Sequence, residues 1–178
     1  VAGWINTIPE EVVTEQPYLC VLHAWALQLA GQLADAEARL VNAEEALESQ
    51  QDRDSAEVDT ILGLIHSHRA YLAFMIGELD QAIQYAQQAL IQLPETAALI
   101  RAQTALYLGV AYRYQGNLQA AMEVYDETLP MVQGMGGKSI VVLCYLHLAD
   151  LYWQLGQLHR SKEFCEQALR ITEIHTGK

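Results

Sequence analysis

Proline is scarce in this chain, with four in 178 residues, as a mostly helical chain requires. Positive charge is scarce too. Ten Lys and Arg stand against 22 Asp and Glu, a net charge of −12. Each phosphate contact wants a cation, so this balance opposes direct contact with DNA, RNA or an anionic membrane. There are three cysteines, Cys20, Cys144 and Cys165. An odd count without CxxC spacing argues against both a disulfide framework and a zinc site. Each lies among apolar neighbours and is expected to be a buried small hydrophobe in a reducing cytoplasm. No run of about 18 uninterrupted apolar residues appears, so no membrane span is expected. The opening Val1-Ala2-Gly3-Trp4 has no basic segment leading an apolar run, so no signal peptide is expected. With no initiator Met, the chain reads as an excised piece of something longer.

What the chain does have is apolar substance and a repeated phrase. It is 52% hydrophobic and 18% charged, enough to bury a core. Gly31-Gln32-Leu33 with Ala36 returns as Gly77-Glu78-Leu79 with Ala82, and again as Gly116-Asn117-Leu118 with Ala121. A fourth copy, Gly156-Gln157-Leu158, has Ser161 where Ala stood. The intervals are 77 − 31 = 46, 116 − 77 = 39 and 156 − 116 = 40 residues. A period of this size signals a stacked helical array, a class that binds or scaffolds and rarely houses catalysis.

The third copy shows the unit. Between Ala105 and Leu129, apolar or small residues recur at spacings of three and four, which predicts two amphipathic helices. Gly116 falls where the first should end and can take the left-handed conformation that satisfies its last carbonyls. Gly109 and Ala121 are small enough to let the helices cross closely, with Leu118 and Leu129 filling the groove. In the second copy, Asp80 suits the positive end of its helix, and Pro94 stops that helix after Leu93 and opens the next at Glu95.

These residues resemble the tetratricopeptide repeat. The third copy carries the pattern through Leu108, Gly109, Tyr112, Gly116, Ala121 and Tyr125. The second carries it through Ala70, Gly77, Leu79, Ala82, Ala89, Leu90 and Pro94, and the fourth through Leu148, Ala149, Tyr152, Gly156, Ala168 and Leu169. The first is weakest, with Ala24, Gly31, Ala36 and Ala43. The resemblance implies an all-α, right-handed superhelical array of antiparallel helix pairs, about four repeats in one domain over 1–178. A short helix at 8–15 belongs to the end of a preceding element, residues 1–16. Pairs are expected at 17–30 with 33–49, 57–76 with 79–92, 95–115 with 118–132, and 139–155 with 158–174. Extra length is placed between repeats, at 49–57 and 130–139. The stretch 140–155 is apolar on nearly every side, so it is either covered on both sides or forms an interface.

The opening Trp4, Ile8-Pro9, Pro17 and Leu19, followed by Ala24-Trp25-Ala26 and Gly31, resembles the start of the helical-repeat region in MalT-type regulators. These are LuxR-family, ATP-dependent transcription activators. In that family the repeat region senses a small-molecule inducer or an inhibitory protein. The resemblance therefore implies a sensor module without its nucleotide-binding and DNA-binding neighbours, with no cofactor and no chemistry of its own.

Other signals are weaker. Gly134-Met135-Gly136-Gly137-Lys138-Ser139 ends like a P-loop, but Val132 stands where the first Gly belongs and no strand precedes it, so an inter-repeat loop is expected. His66 and His68, two apart, point about 200° apart on a helix and cannot share a metal. His147, three before Asp150, is either an acid–base pair with it or a local hydrogen bond on a solvated face. Glu44, Glu45 and Glu48 are expected to form a solvated face.

In tetratricopeptide arrays, the first helix of each pair lines the concave groove. The resemblance places Tyr18, Val21, Trp25 and Gln28 there, then Leu64, Ser67, Tyr71 and Phe74, then Gln103, Leu106, Val110 and Arg113, and last Leu143, Leu146, Asp150 and Trp153. Aromatics beside convergent polar groups compose a groove for a small ligand or peptide. Trp25, Tyr71, Phe74, Gln103, Arg113, Asp150 and Trp153 are the candidate contacts, and alternatively they only pack or pair between helices. Arg113 and Asp150 are candidate neighbours across adjacent repeats, and Arg113 could anchor an anionic group. Expected partners are an inducer or a protein, with a homodimer possible through exposed array ends. The alternative is an independent scaffold that binds an extended peptide.

Overall fold

The computed structural model describes residues 8–50, 53–134 and 138–176, with side chains described through Thr172. Trp4 and the glycines at 136 and 137 lie outside these residues. Among the described residues there are only helices: α1 (Glu10–Thr14), α2 (Pro17–Leu29), α3 (Leu33–Ser49), α4 (Ser55–Met75), α5 (Leu79–Gln92), a 3-10 turn (Glu95–Ala97), α6 (Ala98–Tyr114), α7 (Leu118–Gly134), α8 (Lys138–Gln154) and α9 (Leu158–Thr176). No helix of the described residues is long and apolar enough to cross a membrane.

The repeated Gly-x-Leu phrase is a helix stop followed by a helix start. Gly31, Gly77, Gly116 and Gly156 have φ of 75°, 85°, 86° and 72°, the left-handed region where a Cβ is penalised. At Gly116 the next amide, Asn117 N, donates to Tyr112 O at 2.9 Å, while Gly116 N donates to Arg113 O at 3.0 Å. The same two bonds recur at the other three glycines. This Schellman arrangement satisfies carbonyls that the helix end leaves open. The Leu two residues after the Gly then begins the second helix of each pair.

Ala36, Ala82 and Ala121 are buried, while Ser161 of the fourth copy is partly exposed. In the third pair, Gly109 of α6 lies against the ring of Tyr125 of α7. In the second, Gly63 of α4 faces Leu93, whose Cγ would lie 2.9 Å from a Cβ at that position. In these two pairs the first helix yields space to one large residue, Tyr125 within α7 and Leu93 just past the end of α5.

The helices form two units that divide at Pro94/Glu95. In the first, α1–α4 enclose a core of Val13, Cys20, Ala24, Leu40, Ile61 and Ile65. Fully burying an Ile or Leu side chain contributes about 1.5–3 kcal/mol. In the second, α6 pairs with α7 and α8 with α9, around Leu106, Tyr125, Val132, Leu148 and Leu151.

Leu93 is extended, and helical structure opens at Glu95 after Pro94, as a 3-10 turn that runs directly into α6 at Ala98. Two expectations need correction. Pro130 does not mark an inter-repeat segment. It lies inside α7, exposed, and the helix runs on to Gly134. A proline there removes one intrahelical bond, which solvent can replace on an exposed face. Finally, Cys20 and Cys144 are buried but Cys165 is exposed. Burial pushes both buried thiols up to about 11.

Candidate functional site

Arg113 lies in the last turn of α6, three residues before the glycine that stops it, and Asp150 lies on α8 of the following pair. The Arg113 Nη1 donates to Asp150 Oδ2, so the two residues that the repeat register aligns are joined. The guanidinium also lies over the Tyr114 ring, 4.7 Å from its centroid. Its Nε is buried without a hydrogen-bond partner. Asp150 is 39% exposed at its side chain and is also 3.4 Å from Gln154 Nε2. An ion pair stacked on one ring but open on its carboxylate side keeps polar capacity for something else.

Asp150 shares one face of α8 with Leu143, Leu146 and Trp153, at spacings of three, four and three. These apolar neighbours are 44%, 46% and 62% exposed. The opposite face, with Val141, Cys144, Tyr145, Leu148 and Leu151, is buried. The segment 140–155 is therefore covered on one side and presents the other. Gln103, on α6, donates from Nε2 to Tyr107 Oη at 2.6 Å and is partly buried. In the first unit, Trp25 of α2 and Tyr71 and Phe74 of α4 are each partly buried.

Several positions assigned to the groove are packed inside instead. Val21, Gln28, Ser67, Leu106 and Val110 are buried. Gln28 clamps α2 to α4: its Nε2 donates to the His68 carbonyl at 3.1 Å, and its Oε1 accepts from His68 Nδ1 at 2.7 Å. His68 is partly buried there, and desolvation pushes its pKa down to about 4. His66 points elsewhere, stacking on Tyr85 and bonding to Gln92 Oε1. No group of His, Cys, Asp and Glu suited to a metal occurs among the described residues.

His147 makes no pair with Asp150, which is held by Arg113. Its ring stacks on Tyr125 at a centroid distance of 5.5 Å. Burial, then the nearby Arg113 charge, lower its pKa, so it stays neutral at neutral pH. Burial likewise raises the Tyr125 pKa, and its hydroxyl has no hydrogen-bond partner. Glu44 is not part of a solvated face. It accepts two bonds from Arg69, at 2.6 and 2.8 Å, and Arg69 Nε reaches Glu37 at 2.9 Å. Arg69 carried no signal in the sequence beyond being a rare cation on an apolar helix.

Residues 63–178 match the family described as the MalT-like TPR region. The HTH-type transcriptional regulator MalT of Serratia proteamaculans is 24% identical over 168 residues, covering 94% of this chain and 18% of that protein. The chain thus spans about a fifth of the length of this relative. Among solved structures, aspartyl phosphate phosphatase F from Bacillus subtilis superposes with a TM-score of 0.78 at 13% identity, covering 92% of this chain and 42% of that one. The Rap conjugation gene regulator of plasmid pLS20, in complex with the Phr* peptide, gives 0.69 at 16% identity, covering 86% and 42%. These likenesses show the same helical-repeat fold. By its repeat caps, its helix pairs and its matched residues, the chain belongs to the MalT-like TPR region family.

Proposed function

We propose that this chain is a non-catalytic sensing and interaction module of a MalT-like transcription regulator, and that it works in the cytoplasm. Its candidate contacts are Gln103, Arg113, Asp150 and Trp153 in the second unit, with Trp25, Tyr71 and Phe74 at the matching positions of the first. The observation that carries this reading is the Arg113–Asp150 pair beside exposed Trp153, Leu143 and Leu146. A polar pair of fixed orientation within an exposed apolar stripe supplies both affinity and register to a bound segment. The occupant shifts the array between conformations by its differential affinity for them.

The identity of the occupant distinguishes two readings, an inducer or a partner polypeptide. The likeness to a Rap regulator solved with a peptide favours a polypeptide segment. The test is a thermal-shift and calorimetric screen of this chain against metabolites, sugars and peptides. Stabilisation that Arg113→Ala and Trp153→Ala both abolish supports the site, because a ligand of the folded state raises Tm by mass action. Stabilisation that both variants retain moves the site elsewhere.

A further inference from the structure

Three helices of the second unit meet at one ring. Tyr125 of α7 is wholly buried. Its hydroxyl end lies against α6: a Cβ on residue 109 would stand 2.5 Å from Cζ and 2.9 Å from Oη. Its face lies against α8, stacked on His147 at an interplanar angle of 7°. The ring therefore fills space between two helices that also touch each other. Its hydroxyl has no hydrogen-bond partner, so the ring acts on both neighbours by its volume.

Helical geometry connects this ring to the Arg113–Asp150 pair. Arg113 follows Gly109 by four residues on α6, and Asp150 follows His147 by three on α8. Each member of the pair thus stands about one turn beyond the residue that the ring touches, on the same helix. Burial is the main influence on the Tyr125 hydroxyl and raises its pKa, and Arg113 comes next, followed by Cys144 and Asp150. Ring and pair are therefore close neighbours. A close-packed interior transmits displacement, so a change in the ring moves the backbone that carries both charges.

We propose that Tyr125 is the positioning residue of the candidate contact site: as a rigid spacer between Gly109 and His147, it sets the separation of α6 and α8 at which Arg113 Nη1 meets Asp150 Oδ2. The inference rests on the reading of that pair as a contact for an occupant. A wholly buried ring touches no occupant, so it acts on binding only through the pair that it spaces.

Nuclear magnetic resonance of the whole chain tests this without an occupant. It reads the rate at which the Arg113 guanidinium rotates about its Nε–Cζ bond, which a bond to a carboxylate slows. Tyr125→Leu removes the ring, and rotation should become about tenfold faster, as loss of one charge-assisted hydrogen bond predicts. Tyr125→Phe keeps the ring and should keep the native rate. Gly109→Ala keeps the ring but displaces it, and should also speed rotation, which decides the matter if Tyr125→Leu fails to fold. Val132→Ala controls for general loosening, because Val132 is buried on α7 two turns from Tyr125. It should leave the rate unchanged. A native rate in Tyr125→Leu or Gly109→Ala overturns the proposal, and so does faster rotation in Tyr125→Phe or Val132→Ala. Binding is scored separately: an occupant whose stabilisation survives Arg113→Ala removes the pair as a contact, whatever the rotation shows.

Discussion

A Cβ on residue 109 would lie 2.5 Å from Cε1 of Tyr125, so Gly109 and Tyr125 occupy one shared volume between α6 and α7. Tyr125 is wholly buried, and its ring is also stacked on His147, so it cannot step aside. Gly109→Ala therefore forces a rigid ring or a helix to move, although alanine is the better helix former. Overpacking of this kind costs about 1–3 kcal/mol. Thermal or urea unfolding should show a clear loss in Gly109→Ala, and partial recovery when Tyr125→Leu is added. Additive losses in the double variant would disprove the shared-volume account.

The helix stops make a different demand. At Gly116 nothing lies within 4 Å of an added Cβ, so Gly116→Ala meets no clash. Its φ of 86° is the obstacle. A non-glycine residue in this region costs about 1–2 kcal/mol. Gly116→Ala should lower Tm, and Gly116→Asn should lower it less, because asparagine tolerates the left-handed conformation. Equal Tm values for all three would mean that the cap relaxes without cost.

Much of this fold was legible in the sequence, and for a local reason. A left-handed helix stop needs glycine, and close crossing needs Ala or Gly, so both leave marks at fixed spacing. The paired helices fall within about three residues of where periodicity put them. Arg113 and Asp150 could also be aligned, because both are counted from a glycine. What could not be read is which side chains meet across stacked pairs. Arg69 selects Glu44 and Glu37, and Gln28 selects His68, by the rotation between helices, which no single helix encodes. Pro130 misled because an exposed helical face tolerates a lost bond that a buried one would not.

His68 predicts a pH dependence. Its folded pKa of about 4 lies below the model-peptide value of about 6.5. Between these values the unfolded chain binds more protons, so stability rises with pH across that interval. The contribution is complete above pH 6.5 and is lost as pH falls through 4. Two and a half units correspond to about 3 kcal/mol at most. His147 and His23 are lowered as well and act with the same sign. Unfolding free energy measured from pH 7.5 to 4 should fall steeply in the native chain and less steeply in His68→Gln. An unchanged slope in His68→Gln would remove His68 as a source.

Arg69 gives the sharpest test of how the first unit is held together. Its side chain is 13% exposed, and it bonds to Glu44 and Glu37 of α3 while lying 5.9 Å from the Tyr85 ring centroid of α5. One guanidinium thus ties three helices, a geometry that its planar fork allows and a lysine ammonium does not. Arg69→Lys keeps the charge but loses the bidentate bond to Glu44. Arg69→Met keeps much of the apolar packing but leaves the half-buried Glu44 without its cation. Hydrogen bonds to charged groups contribute about 1.5–3 kcal/mol, so Arg69→Lys should cost about 1–2 kcal/mol and Arg69→Met more. Adding Glu44→Gln to Arg69→Met removes the stranded charge and should restore part of the loss. Such recovery in a double-mutant cycle, absent when Glu48→Gln is used instead, distinguishes a specific lock from general relief of negative charge in an acidic chain.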